Sequence, residues 1–263
     1  MSDRSGAPAP VHATLLEPWL LVAALLAVWE GCAGAGFVSR FVLPAPSRIA
    51  VALYSKFDLI WPEALVTLGE IAGGFAAGVA AGMVAALAMA ASSRLARALG
   101  PVLVVAQALP VFAIAPVLVI WFGFGLAPKL VMSGLIIFFP VASAFFDGLR
   151  RADSGLLDLA RLNHARRFDM LRLIRVPAAL PQLAAGLRVA AAVAPLGAIV
   201  GEWVGASHGL GLMMLHANAR MQSDMVFACL AVLVAISLLF WSATGWITRH
   251  WVHWAPDTLD QGR

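Results

Sequence analysis

Lysine is almost missing from this sequence: Lys56 and Lys129 are the only two. A phosphate-binding loop ends in Gly-Lys-Ser/Thr. Here the residues before the lysines are Ser55 and Pro128, so the chain has no such loop and no enzyme activity driven by its own nucleotide site is expected. Charge is scarce as well, at 12% of 263 residues, while 62% are hydrophobic. Soluble domains average roughly 25% charged and about 45–50% apolar. With a mean hydropathy of +0.89, this composition points to an all-α polytopic membrane protein. Two cysteines, Cys32 and Cys229, both in apolar sequence, read as packing residues and exclude a disulfide framework. No HExxH, paired-Cys or EF-hand spacing occurs, so no metal site is expected. The net charge of +4 is no nucleic-acid signal, because the arginines cluster beside apolar segments.

One long polar island interrupts the apolar sequence: DSGLLDLARLNHARRFDMLRLIRVPAALP, from Asp153 to Pro181. Leu156, Leu159 and Leu162 recur every three residues, and Phe168 and Leu171 do the same. The spacing predicts two short amphipathic helices broken near Asn163-His164, the second ended by Pro177 and Pro181. A basic two-helix knob of this kind is either a docking element or a solvated loop held at lipid headgroups.

The island resembles the cytoplasmic loop of ABC-importer permeases: Glu-Ala-Ala, three residues, Gly, nine residues, Ile-x-Leu-Pro. Asp158-Leu159-Ala160 stands for Glu-Ala-Ala, His164 for Gly, and Ile174-Arg175-Val176-Pro177 for the close. His164 is the main departure, since Gly takes a left-handed backbone conformation more readily. The bend is then less sharp, or rests on Asn163. Two further stretches are similar to the nitrate, sulfonate and taurine branch: Leu43-Pro44-Ala45-Pro46-Ser47, and Glu202 followed by Gly205 and Gly209-Leu210-Gly211. The run from Ala194 to Gln222 looks most like permeases assigned to hydroxymethylpyrimidine, a thiamine precursor.

Taken in order, residues 1–14 are read as a disordered N-terminus and 15–62 as a first span, Leu15 to about Gly36, plus an interfacial segment. That segment includes a helix from Ile49 to Leu59, with Tyr54 and Trp61 at headgroup depth. Residues 63–248 form the core, with the coupling loop at 149–181, and 249–263 form a tail. Within the core, span two covers Glu63–Ala91, and Ser92–Leu99 is a loop. Span three, Pro101–Phe122, is kinked at Pro110 and Pro116, and Gly123–Lys129 is a turn. Span four covers Leu130–Phe146. Span five, Gln182–Trp203, is broken at Pro195. Val204–Ser223 is a loop and Met225–Ile247 is span six. The total is about six spans. Gly74, Gly78 and Gly82 make a small-residue face for helix packing. Arg4, Arg94, Arg97, Arg150 through Arg188, Arg249 and Arg263 fall on one side, which places that side and both termini in the cytoplasm.

Three carboxylates lie near apolar sequence. Glu30 and Glu70 fall near span ends. Glu202, beside Trp203, reads as a structural anchor at the outer gate or as a substrate contact. Pro195, Pro110 and Pro116 join Glu202 and Trp203 as candidates for the translocation path, because prolines free backbone carbonyls.

The resemblance implies a type I ABC importer permease fold in the bacterial inner membrane. It implies a second copy of the chain, cytoplasmic ATPase subunits, which hold the ATP and Mg, and a periplasmic substrate-binding protein. It also implies that Leu156, Asp158, Leu159, Ala160, Arg161, His164, Ile174 and Pro177 meet the ATPase. No cofactor is expected in this chain. The expected solute is small and polar, a pyrimidine thiamine precursor, with sulfonate, taurine or nitrate as alternatives. A self-contained secondary transporter or channel is the competing class. It needs ionisable residues at mid-membrane, and spans three, four and six have no acid in their cores.

Overall fold

The computed structural model describes residues 17–108, 110–252 and 254, all in helices, turns and connecting loops. Helix α1 is Glu17–Gly34, α2 is Pro46–Ser55, α3 is Phe57–Ala91, α4 is Ser93–Ala108, and α5 is Val111–Phe122. Helix α6 is Leu126–Arg150, α7 is Ser154–Leu162, α8 is Arg167–Met170, α9 is Val176–Gly205, α10 is Leu210–Ala219, and α11 is Ser223–Trp251. Among the described residues, four helical segments are long and apolar enough to cross a membrane alone: α3, α6, α11, and the 39-residue run from Arg167 to Gly205. Helix α1 and the broken pair α4–α5 bring the number of spans to about six.

Helix α6 is the centre, and small residues seat its neighbours. Gly78 of α3 lies against the Gly134 carbonyl and Ile137, and Gly82 against the Phe138 carbonyl and Val141. Residue numbers rise together along this contact, so α3 and α6 run parallel. Gly186 of α9 faces Pro140 and Ala144, Gly197 faces Ser133, and Gly201 faces Lys129, so α9 runs antiparallel to α6. Gly74, Gly78 and Gly82 thus pack within the chain, against α6. Backbones this close gain dispersion contacts, which are what hold helices together in lipid. A Cβ at Gly78 would stand 2.7 Å from the Gly134 oxygen and 2.8 Å from Ile137. Gly78→Ala should therefore cost about 1–3 kcal/mol by overpacking. Gly69→Ala, with nothing within 4 Å, should be neutral or slightly stabilising. Thermal unfolding of both variants in one lipid system checks the contrast.

Several boundaries differ from the sequence reading. Arg94 and Arg97 sit on α4, a helix where a loop was expected. Pro110 does more than kink its span: it stands at the break before α5, extended at φ −67 and ψ 113. Pro116 lies inside α5 without breaking it. Pro177 and Pro181 do not end the second island helix. Pro177 falls in the first turn of α9, where a missing N–H is tolerated. A π-helical turn, Leu171–Arg175, widens the backbone just before it. Pro195 is buried inside a continuous α9, with no break. The expected loop after α9 contains α10. Arg188 lies within α9, inside the expected fifth span, two residues beyond the crossing of Gly186 with Pro140, and its Nε is buried without a partner. Cys229 is buried as a packing residue, whereas Cys32 is exposed on α1. The N-terminal segment 1–14 and most of the C-terminal tail lie outside the described residues.

Candidate functional site

At one end of the bundle, α7 stands clear of the transmembrane helices. Asp153 caps it, accepting from the N–H groups of Gly155 at 2.6 Å and Leu156 at 3.1 Å. Its other end closes through a left-handed residue, and that residue is His164 itself, at φ 55, while Asn163 stays at φ −83. The His164 N–H donates to the Arg161 carbonyl at 3.0 Å and the Ala165 N–H to the Ala160 carbonyl at 2.9 Å. These are the two bonds of a Schellman ending. The bend that Gly makes in the resembling loops is therefore present here, carried by a histidine.

No residue of α7 is buried. Leu156 is 54% exposed, Leu159 56% and Leu162 78%, so the apolar side of this helix finds no cover in its own chain. Ala160 is half-buried. Asp158 and Arg161 pair at 2.7 Å on the exposed surface. Ile174 lies in the π turn and Pro177 just beyond it.

At the opposite end, α3 presents Glu63, Thr67 and Glu70, one helical face at spacings of four and three. The Thr67 hydroxyl donates to Glu202 Oε1 at 2.6 Å and accepts from the Leu210 N–H at 2.9 Å. Glu202 Oε2 accepts from the Gly211 N–H, and Glu63 Oε2 accepts from the Gly209 N–H, each at 2.5 Å. Lys129 of α6 reaches Glu70 at 2.5 Å and the His208 carbonyl at 3.3 Å. These bonds clamp the turn between α9 and α10 onto α3 and α6. Glycine is needed at 209, where φ is +126 and Glu202 leaves no room for a Cβ.

The path candidates do not converge. Glu202 is fully buried and faces α3. Trp203 donates from Nε1 to the Gly211 carbonyl at 3.0 Å, and its ring meets Phe112 at 6.4 Å. Pro195 is buried, while Pro110 and Pro116 are exposed. None of the five lines the cavity between α4, α5, α6 and α9. That cavity, about 800 Å³, is a partly open cleft, with Phe138, Phe139, Ile114, Val189 and the hydroxyl of Ser143 on its walls. Glu70 is not an interfacial carboxylate but a buried one. Lys129 is not a loop cation but its partner, which the sequence reading missed. The lone lysine inside the apolar run of α6 is the signal that points to such a pair. Glu30 accepts from the Ser47 N–H at 2.9 Å and its hydroxyl at 2.7 Å, so it caps the start of α2.

Residues 78–253 match the family described as the binding-protein-dependent transport system inner membrane component. The chain belongs to this family. The permease is 46% identical to a probable ABC transporter permease protein of Haemophilus influenzae, over 90% of this chain and 97% of that one. It is 38% identical to the riboflavin transport system permease protein RibX of Chloroflexus aurantiacus, over 88% and 87% of the two chains. It is 32% identical to the formylaminopyrimidine transport permease protein ThiX of Halalkalibacterium halodurans, over 87% and 91%. More distant relatives are named for aliphatic sulfonates and taurine. The fold matches a solved amino acid ABC transporter with a TM-score of 0.62 at 16% identity, covering 76% of the permease and 97% of that chain. The permease is thus a multi-pass subunit of an inner-membrane ABC importer.

Proposed function

We propose that two copies of this permease form the translocation path of an ATP-driven importer. Its ATPase subunits dock on α7 and α8 and hold the ATP and Mg. Both termini and the α7 loop lie in the cytoplasm, and a periplasmic binding protein delivers the solute at the far side. The observation that carries this reading is α7 itself: a capped, bent helix whose leucines are exposed. A nine-residue helix is marginal in water, so it gains its order from a partner surface. The spacing of Asp158-Leu159-Ala160, His164 and Ile174 to Pro177 supports the ATPase as that partner.

The solute is a small polar heterocycle of the pyrimidine thiamine-precursor type. Two relatives named for flat nitrogen heterocycles, riboflavin and formylaminopyrimidine, support it. So do the aromatic walls of the large cavity, which carry no charged side chain to hold a sulfonate or nitrate. Glu202 acts as an anchor for the α9–α10 turn, since both its oxygens are already engaged. The test is uptake into vesicles holding the permease, its ATPase and its binding protein. ATP-dependent uptake of hydroxymethylpyrimidine supports both parts. Uptake of taurine instead would reassign the solute, and uptake without ATP would overturn the importer reading.

A further inference from the structure

Three ionisable side chains are sealed together at the end of the bundle remote from α7. The side chains of Glu70 and Lys129 are 2% and 5% exposed, and Glu202 is fully buried. Lys129 Nζ is bound to Glu70 Oε1. The Glu202 oxygens accept from Thr67 and Gly211. Glu70 Oε2 has no donor, although it is buried. Glu202 joins the pair through its neighbours: Thr67, which donates to it, lies three residues before Glu70 on α3, and Gly201 packs against Lys129. The charges do not balance: two carboxylates face one ammonium. The neighbouring ionisable groups do not supply the difference. Glu63 and His208 pair with one another at 3.2 Å, and the His208 side chain is 67% exposed.

An uncompensated charge in an apolar interior is strongly disfavoured, and a carboxylate in that position takes up a proton instead. We propose that Glu70 and Glu202 share one bound proton, which makes the three-residue cluster neutral and gives Glu70 Oε2 the donor it lacks. The proton is a fixed part of the clamp that holds the α9–α10 turn against α3 and α6. It stabilises that corner without a second cation, and it is not carried with the solute.

Infrared spectroscopy of the purified permease in lipid nanodiscs tests this, because a protonated carboxyl has a C=O stretch distinct from carboxylate. At neutral pH the wild type should show one such band, shifted by deuterium exchange. Glu70→Gln and Glu202→Gln should each abolish it, since the remaining carboxylate then balances Lys129. Lys129→Met should double it, because neither acid then has a cation. A wild-type spectrum without a protonated carboxyl contradicts the proposal even if no variant can be purified. A band unchanged in both Gln variants contradicts it as well. ATP-dependent uptake at constant solute concentration should not vary with an imposed proton gradient; uptake that follows the gradient would overturn the fixed role.

Discussion

Lys129→Ala is expected to lose about 3–5 kcal/mol of stability, the cost of leaving a buried acid without its cation. In a domain of this size that lowers the melting temperature by about 6–20 °C. The side chains are 5% and 2% exposed, so water does not screen the loss as it would on a surface. The same change removes the donor to the His208 carbonyl and frees the α9–α10 turn on one side. The double variant Lys129→Met with Glu70→Gln removes both charges at similar volume and should regain most of the stability, since a neutral pair of matching shape costs little. Thermal unfolding of the wild type, Lys129→Met, Glu70→Gln and this double variant closes the cycle and gives the coupling directly. A loss under about 1 kcal/mol for Lys129→Ala would mean that the pair is solvated.

Asp158→Lys and Arg161→Glu, each made alone, are expected to abolish uptake while the permease remains folded in the membrane. The pair is 64% and 61% exposed, so within the free chain it contributes under about 1 kcal/mol. Buried at a docking interface, an unpartnered charge costs about 2–5 kcal/mol, which weakens association by a factor of tens or more. A bulky polar residue at the half-buried Ala160 should have the same effect, as should Leu156→Ser with Leu159→Ser, which strips the apolar side of α7. His164→Gly should be tolerated: it relieves a left-handed conformation that costs other L-residues about 1–2 kcal/mol. Uptake and ATPase co-purification, measured together, check these outcomes. Wild-type values for both charge reversals would leave α7 as a solvated loop.

Much of this architecture is legible in the sequence, for physical reasons. Apolar runs of span length mark α3, α6 and α11, because no other arrangement satisfies their backbones in lipid. The three-residue leucine spacing and the Asp158–Arg161 pair mark α7. Proline was the poorer guide. Its effect depends on where in the helix it falls: Pro177 sits in a first turn beside a π turn, and Pro195 is buried within α9. Helix α10 escaped notice because LGLMMLHANA has no polar stripe. Its limits are set instead by Gly209 at φ +126 and Met221 at φ 57. The cluster of Glu70, Lys129 and Glu202 joins residues 59 and 132 positions apart, by differences of their numbers, and only the packing of α3, α6 and α9 unites them.

The most direct measurement is a cross-link from α7. In a Cys32→Ser, Cys229→Ala background, Leu159→Cys should cross-link the permease to its ATPase subunit in native membranes, through a short bifunctional reagent. Tyr54→Cys, 89% exposed on α2, should not. A Leu159→Cys protein that imports normally yet never captures the ATPase would contradict the account.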